Sequence, residues 1–200
     1  MTLYISDFTG DDAKAVCAWR YPIPYDVYDC PDWKTLSAQN WAMADESRRR
    51  SEFRSLKSDG YLAGFFRLVK RPECVMIGLG LAPETCGRGL GGQVLRMIMD
   101  VVHERYPGAA ARLEVRTFNL RAVKCYEKAG FTIKKKYRRD TPTGPADFLL
   151  MEALLSWKSY AHAAGIIRFL RRFFLAVINA PYGDPRRAHF HMFFRLIYCV

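Results

Sequence analysis

Between an apolar run, Val75 to Leu81, and an amphipathic stretch beginning near Leu90 lies the segment Cys86-Gly87-Arg88-Gly89-Leu90-Gly91-Gly92. Its glycines leave backbone N–H groups uncovered where the chain turns from strand to helix, and an anionic phosphate can approach such groups closely. The segment therefore suggests a pyrophosphate clamp, although the same kind of turn also serves tight packing. Further along stands Leu113-Glu114-Val115-Arg116-Thr117-Phe118-Asn119, followed by Arg121-Ala122, Tyr126-Glu127-Lys128 and Gly130-Phe131. Glu114 alternates with Leu113 and Val115, so on a strand its carboxylate occupies the face opposite those apolar side chains. There it could deprotonate an alkyl ammonium, or bridge Arg112 and Arg116 as an ion pair. Tyr126 shares helical spacing with Ala122 and Ala129, which suits either a proton-donating phenol or a ring that fills a helix–sheet interface.

Together, the Gly-rich turn, the Asn-x-x-Ala helix start and the Tyr-x-x-x-Gly-Phe close resemble the GNAT superfamily of acyl-CoA N-acyltransferases. The resemblance runs in outline from Leu3 to Leu155 and is specific from Val75 to Phe131. It implies a site that binds acetyl-CoA without a metal. Leu79 to Leu81 would offer backbone groups to the pantetheine arm where their strand splays from its neighbour, and the Leu81 N–H would polarise the thioester carbonyl. The amides of Cys86, Gly87, Arg88, Gly89, Gly91 and Gly92 would hold the pyrophosphate, and Asn119 belongs to the same cofactor-binding set. Leu-Glu-Val-Arg followed by Asn, Ala and Tyr is similar to bacterial ribosomal-protein alanine N-acetyltransferases, which implies Glu114 as general base and Tyr126 as the acid that protonates the departing thiolate. Glu84, just before the turn, is a lesser stand-in for the base. Cys86 departs from the Arg or Gln usual at its position, which removes a side-chain contact and leaves backbone binding intact. Direct attack by the amine needs no covalent intermediate, so neither Cys86 nor Cys125 is assigned as a nucleophile.

The loop Tyr21 to Asp29 alternates aromatic rings and carboxylates at Tyr25-Asp26 and Tyr28-Asp29, a combination suited to a cationic amine acceptor or to covering a core. Arg48-Arg49-Arg50 and Lys134-Lys135-Lys136 with Arg138 and Arg139 are charge runs that suit RNA, a ribosomal surface, the adenosine 3′-phosphate of coenzyme A or a solvated face, and the absence of interleaved stacking aromatics argues against nucleic acid as a partner. The 200 residues suffice for one buried core with an appendage. Six cysteines, at 17, 30, 74, 86, 125 and 199, show no metal or redox spacing, and no signal-like apolar segment opens the chain, so a reducing cytoplasm is expected.

Of the net charge of +11, residues 156–200 hold seven Lys/Arg against the single acid Asp184. Within them, the basic apolar run 164–178 is too short and too arginine-rich to span a bilayer. It suits an anionic membrane surface, a partner subunit or its own domain. His189 and His191 alone do not make a metal site.

Positioning these groups requires a helix from Asp11 through Trp19 and a second from Pro31 to about Ala44. Strands are expected over Ser51–Leu56 and Tyr61–Val69, joined by a hairpin at Ser58-Asp59-Gly60, and a third over Cys74–Ala82. A helix from Leu90 stops at Pro107-Gly108, and a strand over Arg112–Thr117 leads to a helix capped by Asn119 and ended by Gly130. Two strands close the pattern, Phe131–Arg139 and Asp147–Leu155. The expected fold is α/β: a mixed, mostly antiparallel sheet of six to seven strands with helices on both faces and a splayed central pair. Residues 1–155 would form an N-acetyltransferase domain and 156–200 an extension. The expected acceptor is a primary amine, a protein N-terminus or a small molecule, and the chain a monomer or homodimer. A non-catalytic acyl-CoA sensor or scaffold is the alternative.

Overall fold

The computed structural model describes residues 2–154. The expected helix over 164–178, His189, His191 and Cys199 lie outside them. A single seven-stranded sheet runs in the order β1-β2-β3-β4-β5-β7-β6. Its strands are β1 Tyr4–Asp7, β2 Phe53–Ser58, β3 Tyr61–Lys70, β4 Cys74–Leu81, β5 Ala110–Arg116, β6 Thr132–Arg139 and β7 Ala146–Ala153. The helices are α1 Gly10–Cys17, α2 Trp33–Ala38, α3 Glu46–Glu52, α4 Gly91–Arg105 and α5 Leu120–Lys128. Every neighbouring strand pair is antiparallel except β4 with β5, which is parallel.

That exception makes a fork. β4 and β5 are paired only from Cys74↔Ala110 to Ile77↔Leu113. Beyond it, β4 continues against β3 as far as Leu81, and β5 continues against β7 as far as Arg116. The outer partners thus hold the two strands apart as they diverge, which is the expected splayed pair.

Apolar side chains separate to the two faces of the sheet. On one, Val94, Leu95, Ile98 and Val102 of α4 and Val123 of α5 meet Val75, Ile77, Leu113 and Val115 of the central strands. On the other, Ala13, Val16 and Cys17 of α1 and Leu36 of α2 pack with Phe8 and Phe53. Thr9 caps α1 by accepting the Asp12 N–H at 3.1 Å, while Asp12 reciprocally accepts from the Thr9 N–H at 3.0 Å. Asp12 also accepts from Ser55 Oγ at 2.8 Å and pairs with Lys57 at 3.1 Å, which pins α1 to β2. Burial works against its charge, but these donors outweigh it and hold the carboxyl below the usual aspartate value.

Three elements differ from expectation. β1 is a four-residue strand at the sheet edge, too short to carry an alternation signal. α2 stops at Ala38 and not near Ala44, because Asn40 takes the left-handed backbone conformation with φ 53°. α3 occupies residues assigned partly to a strand, so β2 begins at Phe53 and not Ser51. Its sequence, Glu-Ser-Arg-Arg-Arg-Ser-Glu, has no apolar stripe; the helix rests on an Asp45 cap and on Glu46–Arg50 and Arg48–Glu52 pairs at 2.6 and 3.3 Å. Arg49 points inward to the carbonyls of Met43 and Ala44. Among the described residues, no helix is long and apolar enough to cross a membrane.

Candidate active site

Backbone direction at the fork follows from strand geometry. Ala82 donates its N–H to the Ala63 carbonyl on β3 at 2.9 Å. Alternation then directs Gly80 and Gly78 toward β3 as well, and turns the N–H and C=O groups of Leu79 and Leu81 into the gap. The Leu81 carbonyl is already used there, accepting from the Tyr21 hydroxyl at 2.8 Å. Close approach shapes the β3 side: a Cβ on Gly64 would lie 2.8 Å from the Gly80 carbonyl oxygen.

The turn after β4 is anchored by the buried Thr85 hydroxyl, which donates to the Ala63 and Ala82 carbonyls at 2.9 and 2.8 Å. Gly87 and Gly89 take φ of 77° and 75°, conformations that favour glycine, and a Cβ at either would meet open space. Arg88 between them is exposed. Leu90 stands at the N-cap of α4 with no side-chain cap, so the first amides of the helix, from Gly91 and Gly92, are uncovered. The Cys86 thiol turns back toward the Leu81 carbonyl, 3.7 Å away, and burial raises its pKa.

Gly91 also sets the approach of α4 to α5: an added Cβ would sit 2.6 Å from Cys125 Sγ. We expect Gly91→Ala to lower unfolding free energy by about 1–3 kcal/mol, the usual range for overpacking. Cys125→Ala in the same chain should recover most of that loss in denaturant titrations, because the clash is with this one sulfur.

Over the mouth of the fork lies the loop between α1 and α2. The Tyr21 N–H donates to Asp29 Oδ1 at 2.9 Å, folding the loop on itself. Tyr25 and Tyr28 stand 5.8 and 6.2 Å from Phe118, and Arg121 lies over the Tyr25 ring at 4.6 Å. Asn119 caps α5 by accepting the Ala122 N–H at 3.2 Å and donates through Nδ2 to the Tyr28 hydroxyl at 3.2 Å. Both ends of its amide are thereby engaged within the protein.

Tyr126 projects from α5 beside Tyr28, its ring 6.2 Å from that of Phe131. Burial, reinforced by Tyr28 and Cys125, raises its pKa, so the phenol holds its proton. No residue described hydrogen-bonds its hydroxyl.

Glu114 stands one residue past the last β4–β5 pair, on the face away from α4 and α5. Neither Arg112 nor Arg116 pairs with it, contrary to the ion-pair alternative drawn from sequence. Arg112 bonds Glu152 at 2.7 Å, with Lys134 on the other carboxylate oxygen at 3.2 Å. Glu114 instead accepts from Arg139 of β6 at 3.2 Å through Oε2. The Tyr137 hydroxyl lies beside this pair, and burial together with the Glu114 carboxylate pushes its pKa up to about 12. Phe148 is the floor: Tyr137 stacks on it at 5.9 Å, and the Arg139 and Arg116 guanidiniums lie over it at 4.3 and 5.6 Å. Glu84 is exposed on the short 3-10 turn Pro83–Thr85, outside this group.

The sequence-predicted residues therefore fall into two sets on opposite sides of the fork. Leu79, Leu81, the glycine turn and Tyr126 lie on the α4/α5 side, and Glu114 on the other. Tyr21, Arg116, Tyr137, Arg139 and Phe148 were not singled out as site residues. For Tyr21 the signal was present, since it opens the aromatic loop.

Comparison with known proteins agrees with this architecture. The model of the acetyltransferase (GNAT) family matches residues 13–131, more than half of the chain. A kanamycin resistance protein of Rhizobium radiobacter is 33% identical over 64 residues, which cover 32% of this chain and 57% of that protein. The match thus spans little more than half of that relative's length. Among solved structures, the ribosomal-protein-S18-alanine N-acetyltransferase of Escherichia coli superposes with TM-score 0.58 at 22% identity, over 78% of this chain and 95% of that one. The spermidine N-acetyltransferase of Vibrio cholerae, in complex with CoA and spermine, gives 0.59 at 17% identity over 76% and 95%. The forked sheet, the glycine turn and the family match lead to one conclusion: the chain belongs to the acetyltransferase (GNAT) family.

Proposed function

We propose that this chain transfers the acetyl group of acetyl-CoA to a primary amine by direct attack. The fork carries the reading, because among the described residues it leaves the Leu79 backbone and the Leu81 N–H without a strand partner, next to a turn of uncovered amides. Such a cradle fits a pantetheine arm and its pyrophosphate. Leu79 and Leu81 would hold the arm in extended form, with the Leu81 N–H available to the thioester oxygen as negative charge develops on it. Gly87, Gly89, Gly91 and Gly92 would give their N–H groups to the phosphates.

Glu114, from the opposite side of the gap, takes the ammonium proton directly or through an intervening water. The amine nitrogen then bonds to the acetyl carbon, the carbon–sulfur bond breaks and Tyr126 supplies a proton to sulfur, while the nitrogen sheds its second proton to water, from which the Tyr126 oxygen is reprotonated. Residues 1–155 would carry this chemistry, with 156–200 as an extension. The two named relatives that act on spermidine and on a protein alanine support an amine acceptor in general.

Incubating the purified full chain with acetyl-CoA and a pool of amines and peptides, then identifying acetylated species by mass spectrometry, tests the proposal. N-acetylated product is expected. A specific observation favours a second reading, an acyl-CoA sensor: the Cys86 side chain is turned inward to the Leu81 carbonyl, away from the place where the resemblance puts a phosphate-contacting side chain. Calorimetric binding of CoA without product from any amine would select it.

A further inference from the structure

Along the acceptor side of the fork the charges are unequally matched. Arg139 is neutralised by Glu114. Arg116, two residues further along the same face of β5, has no carboxylate partner among the described residues. Its Nη2 donates to Thr141 Oγ1 at 3.2 Å and Thr143 Oγ1 at 3.0 Å, and its plane lies over Phe148. The guanidinium is thus held in place by one nitrogen, while Nε and Nη1 have no acceptor among the described residues. The Tyr28 hydroxyl of the covering loop lies near it. A positioned guanidinium with a free donor edge matches a carboxylate better than any neutral group.

Residues two apart on a strand are separated by about 7 Å, so Arg116 stands roughly that far along the strand from Glu114, where the amine must lose its proton. That separation suits a carboxylate on the side chain of the amine-bearing residue or the next one. Resting on the acyl-transfer reading for the place of the amine, we infer that Arg116 anchors a carboxylate of the acceptor, and that this chain selects amines carrying a nearby carboxylate. The selection departs from a polycation such as spermine, which would meet an unpaired guanidinium at this point.

The test reads binding, which does not depend on turnover. Peptides beginning Ala-Glu, Ala-Gln and Ala-Lys, free glutamate, and spermidine are titrated calorimetrically into the full chain saturated with CoA. The Ala-Glu peptide or free glutamate should bind about 10- to 100-fold tighter than Ala-Gln, the range of a charge-assisted contact. Whichever of the two does so identifies whether the carboxylate source is a protein N-terminus or a free amino acid. Arg116→Gln should erase the preference while leaving Ala-Gln binding unchanged. Thr143→Val, which loosens the guanidinium and keeps the charge, should reduce the preference several-fold and serves if Arg116→Gln does not fold. Tighter binding of Ala-Lys or spermidine, equal weakening of every ligand by Arg116→Gln, or no binding of any ligand would overturn the inference. Turnover measured on the same samples judges the acyl-transfer reading separately.

Discussion

Replacing Tyr126 by Phe should lower kcat by about 10²- to 10³-fold while CoA affinity and thermal stability stay close to wild type. Phe preserves the ring that packs against Phe131 and removes only the hydroxyl. That hydroxyl has no hydrogen-bond partner among the described residues, so its loss breaks no internal bond. The raised pKa keeps the phenol protonated, and a weaker acid is a poorer donor to a thiolate of ordinary basicity, ~8.5 against ~10 for the unperturbed groups. Desolvation of the departing thiolate in the bound complex would raise its basicity in the same direction and narrow that gap. Because the folded pKa lies above the ordinary phenol value, deprotonation of Tyr126 should place no alkaline limb on kcat below about pH 10. If Tyr126 only fills space, Phe leaves kcat unchanged, and steady-state kinetics separates the two outcomes.

Glu114→Gln should reduce kcat/KM by about 100-fold near neutral pH, with the deficit shrinking as pH approaches that of the free amine. An α-amino group titrates near ~8 and an alkyl amine near ~10, so above those values the acceptor arrives already neutral and needs no base. Gln can still accept a hydrogen bond from Arg139, so the β5–β6 contact survives the change. A pH profile of kcat/KM is the measurement. A loss of equal size at every pH would mean that Glu114 matters through the Arg139 pair, as a structural contact across the sheet, and not as a proton acceptor.

Much of this site was legible because each element carries a local signal. Asp59 and Gly60 take φ of 51° and 83°, the paired positive values of a tight hairpin that Asp-Gly announces. Asn119 announces the start of α5 by its capping chemistry, and Gly130, with φ 89°, its end. The glycine turn is visible as composition, and the alternation around Glu114 correctly gave its face. What escaped depends on partners distant in sequence. Glu114 meets Arg139 across 25 residues, and the pairing of β6 with β7 shifts register between Ile133 and Lys135. A bulge of this kind breaks the two-residue period, so the side of the sheet to which Tyr137 and Arg139 turn cannot be read from the run Lys134 to Arg139. Arg116 escaped for a related reason: its placement over Phe148 depends on β7 and on the turn bearing Thr141 and Thr143. α3 and β1 were missed because neither is long or amphipathic enough to show a period.

The forked strands and the glycine turn are expected to pass an acetyl group from sulfur to nitrogen. The most direct test counts both products in one reaction of the full chain with acetyl-CoA and an accepted amine, following free thiol by a chromogenic reagent and N-acetylated amine by mass spectrometry. Equal amounts of the two, both depressed by Tyr126→Phe, are predicted. Thiol released without N-acetylated product, or CoA bound with neither product formed, would contradict it.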